Sequence, residues 1–258
     1  MHPIDMERPM TTFATYPSLR NETVIVTGGA SGIGASIVEH FASQGARVGF
    51  VDLDEAAGRA LAEKSGATFM ACDLRDIAAL RAAIETFTRD LGPPLALVNN
   101  AARDDRHAIE DVTPAFWDER MATNLRHQFF AAQAVAPIMR ARKRGSIINM
   151  GSTSWMLSLG NMPAYVTAKA AIQGLTRGLA RDLGQDHIRV NTVVPGWIMT
   201  ERQVKLWLTP EGEADLKKNQ CLPEKLYPGD VARMVLWLAA DDSRMVTAQD
   251  FVVDGGWT

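Results

Sequence analysis

The chain has 258 residues, 47% of them hydrophobic, which suits one large α/β domain with a well-buried core. Its net charge of −3 leaves no basic face for nucleic acid or an anionic membrane, and no long uninterrupted apolar run offers a membrane span. Two cysteines, Cys72 and Cys221, and five scattered histidines give neither a disulfide framework nor metal-ligand spacing, so no metal is expected and a reducing cytoplasm fits.

Residues 1–17, polar and mixed with Pro3, Pro9 and Pro17, read as a flexible extension, and residues 18–258 as one domain. Strands are expected near 23–27, 47–52, 67–72, 95–99, 146–150, 188–194 and 250–253, mostly as the continuous apolar runs of a sheet covered on both faces. Helices are expected near 32–44, 55–65, 76–91, 113–121, 124–142, 163–184 and 229–240. This alternation predicts an α/β fold, a doubly wound parallel sheet of seven strands with helices on both faces and a ligand crevice at the strand C-termini.

The first strand runs into a glycine-rich turn and a helix start. Gly28, Ser31, Gly32, Ile33 and Gly34 make a phosphate cradle there, because glycines let backbone approach a pyrophosphate and a helix N-terminus supplies N–H donors. The second strand ends in Asp52 and Leu53, about twenty residues on, where a dinucleotide fold holds the ribose hydroxyls. A carboxylate there accepts from a 2′-hydroxyl and repels a 2′-phosphate. No Arg or Lys lies in the glycine loop or directly after Asp52, so the expected cofactor is NAD.

Ser152, Tyr165 and Lys169 follow the fifth strand. Tyr165 and Lys169 stand one helical turn apart on one face. A free phenol titrates near ~10, and a fixed ammonium beside it favours the phenolate. A lowering of about three units brings Tyr165 to where a general base works, with Ser152 holding the substrate oxygen. Farther on, residues 197–228 break the strand–helix rhythm, with prolines at 210, 223 and 228, and read as a substrate lid, with an interface element as the alternative.

These residues together resemble the short-chain dehydrogenase/reductase family, from about Ser18 to the C-terminus. The matching positions are Thr27, Gly28, Gly32, Gly34, Asp73, Leu74, Asn99, Asn100, Ala101, Asn124, Ser152, Tyr165, Lys169, Pro195 and Gly196. The resemblance implies that Asp73 and Leu74 flank the adenine, and that Asn99, Asn100 and Ala101 support the cofactor. It implies that Asn124 kinks a helix and holds a water relaying protons to Lys169. Ile198 and Thr200, after Pro195 and Gly196, resemble the segment that contacts the nicotinamide carboxamide. Ala102 stands where the family usually has glycine, which questions the local backbone.

Three stretches bear on the substrate. Asp104 to His107 follow the fourth strand, Ser154 and Trp155 follow Ser152, and Thr200 to Gln203 open the lid. A wall of Asp104, Ser154, Trp155, Arg202 and Gln203 suits a polyhydroxylated ring, since hydroxyls need paired donors and acceptors and an indole stacks on a C–H face. Asp105 and Arg106 read equally well as a solvated loop or a subunit salt bridge. The same stretches, with residues 117–120, 124–127, 209–213 and 220–222, resemble the bacterial sugar 1-dehydrogenases of this family, which act on D-galactose or D-xylose. That implies oxidation at C1 to an aldonolactone, and a homotetramer with residues 254–256 near an interface. A dehydrogenase or reductase of another secondary alcohol, such as a hexitol or a 3-oxoacyl substrate, and an NAD-sensing protein stay open beside it.

Overall fold

The computed structural model describes residues 13–258. One sheet contains β1 (Thr23–Thr27), β2 (Arg47–Asp52), β3 (Thr68–Ala71), β4 (Pro94–Asn99), β5 (Gly145–Met150), β6 (Ile188–Pro195) and β7 (Asp250–Val253). Its order is β3-β2-β1-β4-β5-β6-β7, and every neighbouring pair is parallel. The helices are α1 (Gly32–Ser43), α2 (Glu55–Ser65), α3 (Ile77–Leu91), α4 (Pro114–Met121), α5 (His127–Arg142), α6 (Pro163–Leu183), α7 (Glu201–Trp207), α8 (Pro210–Asn219) and α9 (Pro228–Ala239).

Every residue of β1, β4 and β5 is buried, because helices cover both faces of the sheet. Alternate side chains go to opposite cores. Val24 and Val26 join Ile37, Phe41 and Val235 from α1 and α9, whereas Ile25 joins Phe87, Val135 and Leu183 from α3, α5 and α6. The strand order reverses between β1 and β4, so their C-terminal ends open a crevice. Most of the functional candidates gather there.

Three differences from the sequence-based expectation are local. The helix expected from residue 124 is continuous with α4 through a wide π-turn, Ala122–Arg126, which has Asn124 at its centre. The segment expected to be a lid carries two short helices, α7 and α8, each started by a threonine cap: Thr200 Oγ1 accepts from Gln203 N, and Thr209 Oγ1 from Gly212 N. Positions 1–12 of the expected extension lie outside the described residues. At positions 13–17 the chain is packed, with Tyr16 against the core and Phe13 under the Arg233 guanidinium.

Among the described residues no helix is long and apolar enough to cross a membrane. The basic run Arg140–Arg144 is ion-paired, with Glu22 taking Arg142 and Arg144 and Asp186 taking Arg140 and Lys143.

Candidate active site

The glycine turn is a backbone-to-backbone joint. Gly28 has φ +65°, and a Cβ on it would sit 2.6 Å from the Ala101 Cα. A Cβ on Gly34 would sit 1.9 Å from the Gly28 carbonyl oxygen, so α1 starts in contact with the end of β1. Asn100 locks this joint from β4: its Nδ2 donates to the carbonyls of Thr27 (3.1 Å) and Gly28 (2.7 Å). Thr27 Oγ1 accepts from the N–H groups of Asn100 and Ala101. Ala102, in the family's glycine position, is not among the residues with left-handed backbone, so its methyl group strains nothing there. Ser31 sits at the N-cap of α1, yet its side chain makes no capping bond. The first-turn N–H groups of α1 therefore lack a side-chain cap and face the cavity lined by Ser31, Gly32, Ile33 and Gly34.

That cavity, about 1180 Å³, runs from Asp52, Leu53, Asp73 and Leu74 at one end to Ser152, Tyr165 and the lid at the other. Asp52 is not a helix cap, since Asp54 fills that post on α2 by accepting from Ala57 N. Its carboxylate takes Ala30 N (2.9 Å) and Asp54 N (3.1 Å), which aim it at the end of the cradle. Arg75 grips Asp73 through two nitrogens, and that hydrogen bonding holds the Asp73 carboxyl below its ordinary range. Asn100, Ala101, Pro195, Gly196, Ile198 and Thr200 line the cavity as well. Asn99 does not. It is fully buried, and its Nδ2 bonds Gln128 O (3.2 Å) and Asn149 Oδ1 (2.9 Å), so it ties β4 to β5 and α5.

Tyr165 and Lys169 lie on α6, and Tyr165 is hydrogen-bonded to Ser152. Lys169 is 1% exposed, its Nζ donates to Met150 O (2.8 Å), and it lies 5.6 Å from the centre of the Tyr165 ring. The electrostatics differ from the sequence-based expectation. Burial pushes the Tyr165 phenol well above its ordinary value and the Asp104 charge adds to this, outweighing the Ser152 hydrogen bond and Arg106. Burial also pushes the Lys169 ammonium down to about 7. In this pocket desolvation outweighs the groups that favour the phenolate. Asn124 is fully buried, accepting from Arg103 N (2.8 Å) and donating to Arg120 O (3.0 Å).

The remaining wall comes from the loop after β4 and from the lid. Gln203 Nε2 donates to Asp104 Oδ2 (2.7 Å), and the Trp197 indole N–H donates to Gln203 Oε1 (3.1 Å). Arg202 approaches Asp104 at 3.5 Å and bonds Asp105 at 3.1 Å. Ser154 lines the cavity, with its hydroxyl buried and unpartnered. Trp155, expected from its spacing as a stacking platform, is not among the residues lining the cavity; it is half-buried, with its indole nitrogen buried and without a partner. The cavity's indoles are instead Trp197, Trp207 and Trp257. Spacing along the chain pointed to Trp155, whereas the fold brings in Trp197 and Trp207 from the segment 197–228 and Trp257 from the C-terminal end.

The comparisons with known proteins agree with this architecture. A family model described as enoyl-(acyl carrier protein) reductase matches residues 28–258. The chain is 50% identical over 247 residues to a probable galactose dehydrogenase of Rhizobium meliloti, covering 93% of this chain and 96% of that one. The chain belongs to the short-chain dehydrogenase/reductase family. It is also 49% identical to D-xylose 1-dehydrogenase of Caulobacter vibrioides (95% and 98% covered) and 35% identical to D-threitol dehydrogenase of Mycolicibacterium smegmatis (93% and 94%). Among solved structures it is similar to a 3-oxoacyl-[acyl-carrier protein] reductase from Brucella melitensis, with a TM-score of 0.87 at 31% identity and 94% of each chain covered. As a member of this family it is an oxidoreductase acting on CH–OH groups with a nicotinamide cofactor.

Proposed function

We propose that this protein oxidises an aldose, such as D-galactose or D-xylose, at C1 to the aldonolactone with NAD. The reading rests above all on the hydrogen-bonded chain Asp104–Gln203–Trp197, a polar wall on the same cavity as Ser152 and Tyr165. Polar groups committed to a cavity wall suit hydroxyls and disfavour an acyl chain or steroid. The relatives about half identical to this chain, named for galactose and xylose, support the same substrate class.

The residues present fit a dinucleotide. The α1 N-terminus without a side-chain cap would hold the pyrophosphate, Asp52 the ribose hydroxyls, and Ile198 and Thr200 the nicotinamide end. The Asp52 carboxylate, with no base in the glycine loop, favours NAD over NADP. A dinucleotide held by these residues would supply the hydride acceptor for the carbinol carbon and a positive charge in the site. The protein's part is proton transfer and positioning. Ser152 orients the C1 hydroxyl, and Tyr165 as phenolate takes its proton. Lys169, buried 5.6 Å from the Tyr165 ring centre, is placed to pass protons onward from the phenol.

The test is a panel of aldoses, alditols and a 3-oxoacyl thioester, run with NAD or NADP (reduced forms for the thioester) and followed at the reduced-nicotinamide absorbance. Turnover of an aldose with NAD, with lactone trapped by hydroxylamine, is the expected result. Turnover confined to alditols or to the thioester overturns the aldose reading.

A further inference from the structure

Asp104 and Asp105 are adjacent, yet the structure uses them differently. Asp105 is saturated by guanidinium groups: Arg103 at 2.8 Å, Arg120 at 2.6 Å and Arg202 at 3.1 Å. Those bonds outweigh its burial and hold its carboxyl below the ordinary range. It is also not among the residues lining the cavity. Asp104 does line it, with a side chain 19% exposed. Its Oδ2 is held by Gln203, but its Oδ1 meets only Arg202, at 3.5 Å from both Nε and Nη2, which is long for a charge-assisted bond. A cavity-lining carboxylate is thus fixed in place with one oxygen short of a donor. Its charge is felt at both Tyr165 and Lys169, so it stands beside the reacting groups.

We infer that Asp104 accepts a hydrogen bond from the hydroxyl next to the reacting carbon, the C2 hydroxyl of the aldose, and so makes the enzyme reject 2-deoxy sugars. The inference rests on the aldose reading above. In a pyranose, C1 is flanked by C2 and by the ring oxygen. The ring oxygen has no proton to offer a carboxylate, whereas the C2 hydroxyl has one. Gln203 keeps Asp104 from rotating away, so the lid fixes the acceptor that the sugar meets. A sugar without that hydroxyl sets a C–H group against a desolvated carboxylate oxygen, and a polar site discriminates strongly against such a loss.

The experiment compares kcat/KM for D-galactose and 2-deoxy-D-galactose in the wild type, Asp104→Ala and Asp104→Asn, with melting temperatures measured alongside. The wild type is expected to favour the 2-hydroxy sugar by about 100-fold or more. In the Ala variant the ratio falls below about tenfold, chiefly because galactose becomes a poorer substrate. If Asp104→Ala does not fold, the Asn variant carries the same expectation of a reduced ratio. A wild type that oxidises both sugars within about threefold, or a ratio that survives in a folded variant, overturns the inference and leaves the aldose reading intact. A wild type that oxidises no aldose with either dinucleotide removes both.

Discussion

The two ends of the cavity are built differently. The cradle and the catalytic face are fixed by backbone: Asn100 bonds the Thr27 and Gly28 carbonyls, Ala30 N fixes Asp52, and Lys169 hangs on the Met150 carbonyl. The opposite face, proposed to take the sugar, is fixed by side chains on exposed elements: Gln203 and Arg202 reach to the loop after β4, and Trp197 holds Gln203. A backbone joint with no room for a Cβ tolerates few sequences, and a lattice of side chains tolerates many. One end can therefore keep a single cofactor chemistry while the other changes substrate, as the names of the similar proteins suggest.

The sharpest break between the two halves is Tyr165→Phe. It removes the proton acceptor and leaves the cradle intact, so kcat should fall by about 10²–10⁴-fold while NAD binding, measured by fluorescence quenching, stays unchanged. A variant keeping more than a tenth of the wild-type rate would show that another group is the base.

Next in size is an effect of His127, which sequence reasoning passed over. It is fully buried beside the catalytic face, with Nε2 3.1 Å from the Ala101 carbonyl. Burial, helped by the Lys169 charge, pushes its pKa down from 6.5 to about 4. The unfolded chain therefore binds the extra proton first as pH falls. The stability contributed by the neutral ring is complete above about 6.5 and drains away towards 4, amounting to about 3 kcal/mol. His127→Gln should flatten that slope in urea denaturation at pH 4.5, 5.5 and 7. Lys169 acts in a separate window, between about 7 and 10.5, where its own depressed pKa makes stability rise with pH. An unchanged acid slope in the Gln variant would place the titration elsewhere.

A smaller shift is expected from Asp52→Ala at the far end of the cradle. Like charges about 4 Å apart at an effective dielectric near 20 repel by roughly 4 kcal/mol before counterions reduce it. Loss of the carboxylate should weaken NAD and improve the relative use of NADP by about tenfold to a hundredfold in kcat/KM. A wild type already preferring NADP would contradict the role given to Asp52.

The same division explains what the chain revealed beforehand. All seven strands were legible, because continuous apolar runs between helix-period segments have few other readings. The cradle and Tyr165 with Lys169 were legible because their spacing is itself the geometry. The lid helices were under-read although Thr200 and Thr209 with Pro210 are ordinary start signals, since seven and ten residues are too short for a period to show. The charge balance at Tyr165 was misjudged because a sequence displays the lysine but not its burial. The resemblance gave Asn99 and the spacing gave Trp155; Asn99 turns out to be fully buried between β4 and β5, and the indole nitrogen of the partly buried Trp155 is closed off from solvent.

The smallest expected effect separates two tryptophans. The Trp197 N–H holds Gln203, which holds Asp104, so Trp197→Phe loosens the sugar face without touching the cradle. A neutral, partly buried hydrogen bond contributes about 0.5–1.5 kcal/mol, so KM for the sugar should rise about threefold to tenfold with KM for NAD unchanged. Trp155 offers the contrast. Its indole nitrogen is buried with no acceptor, and a donor in that state costs stability. Trp155→Phe removes the unsatisfied group while keeping an aromatic ring, so the melting temperature should hold or rise and both KM values should stay put. Should Trp155→Phe raise the sugar KM while Trp197→Phe does not, the indole facing the substrate is Trp155, and the side-chain lattice drawn here is wired the wrong way round.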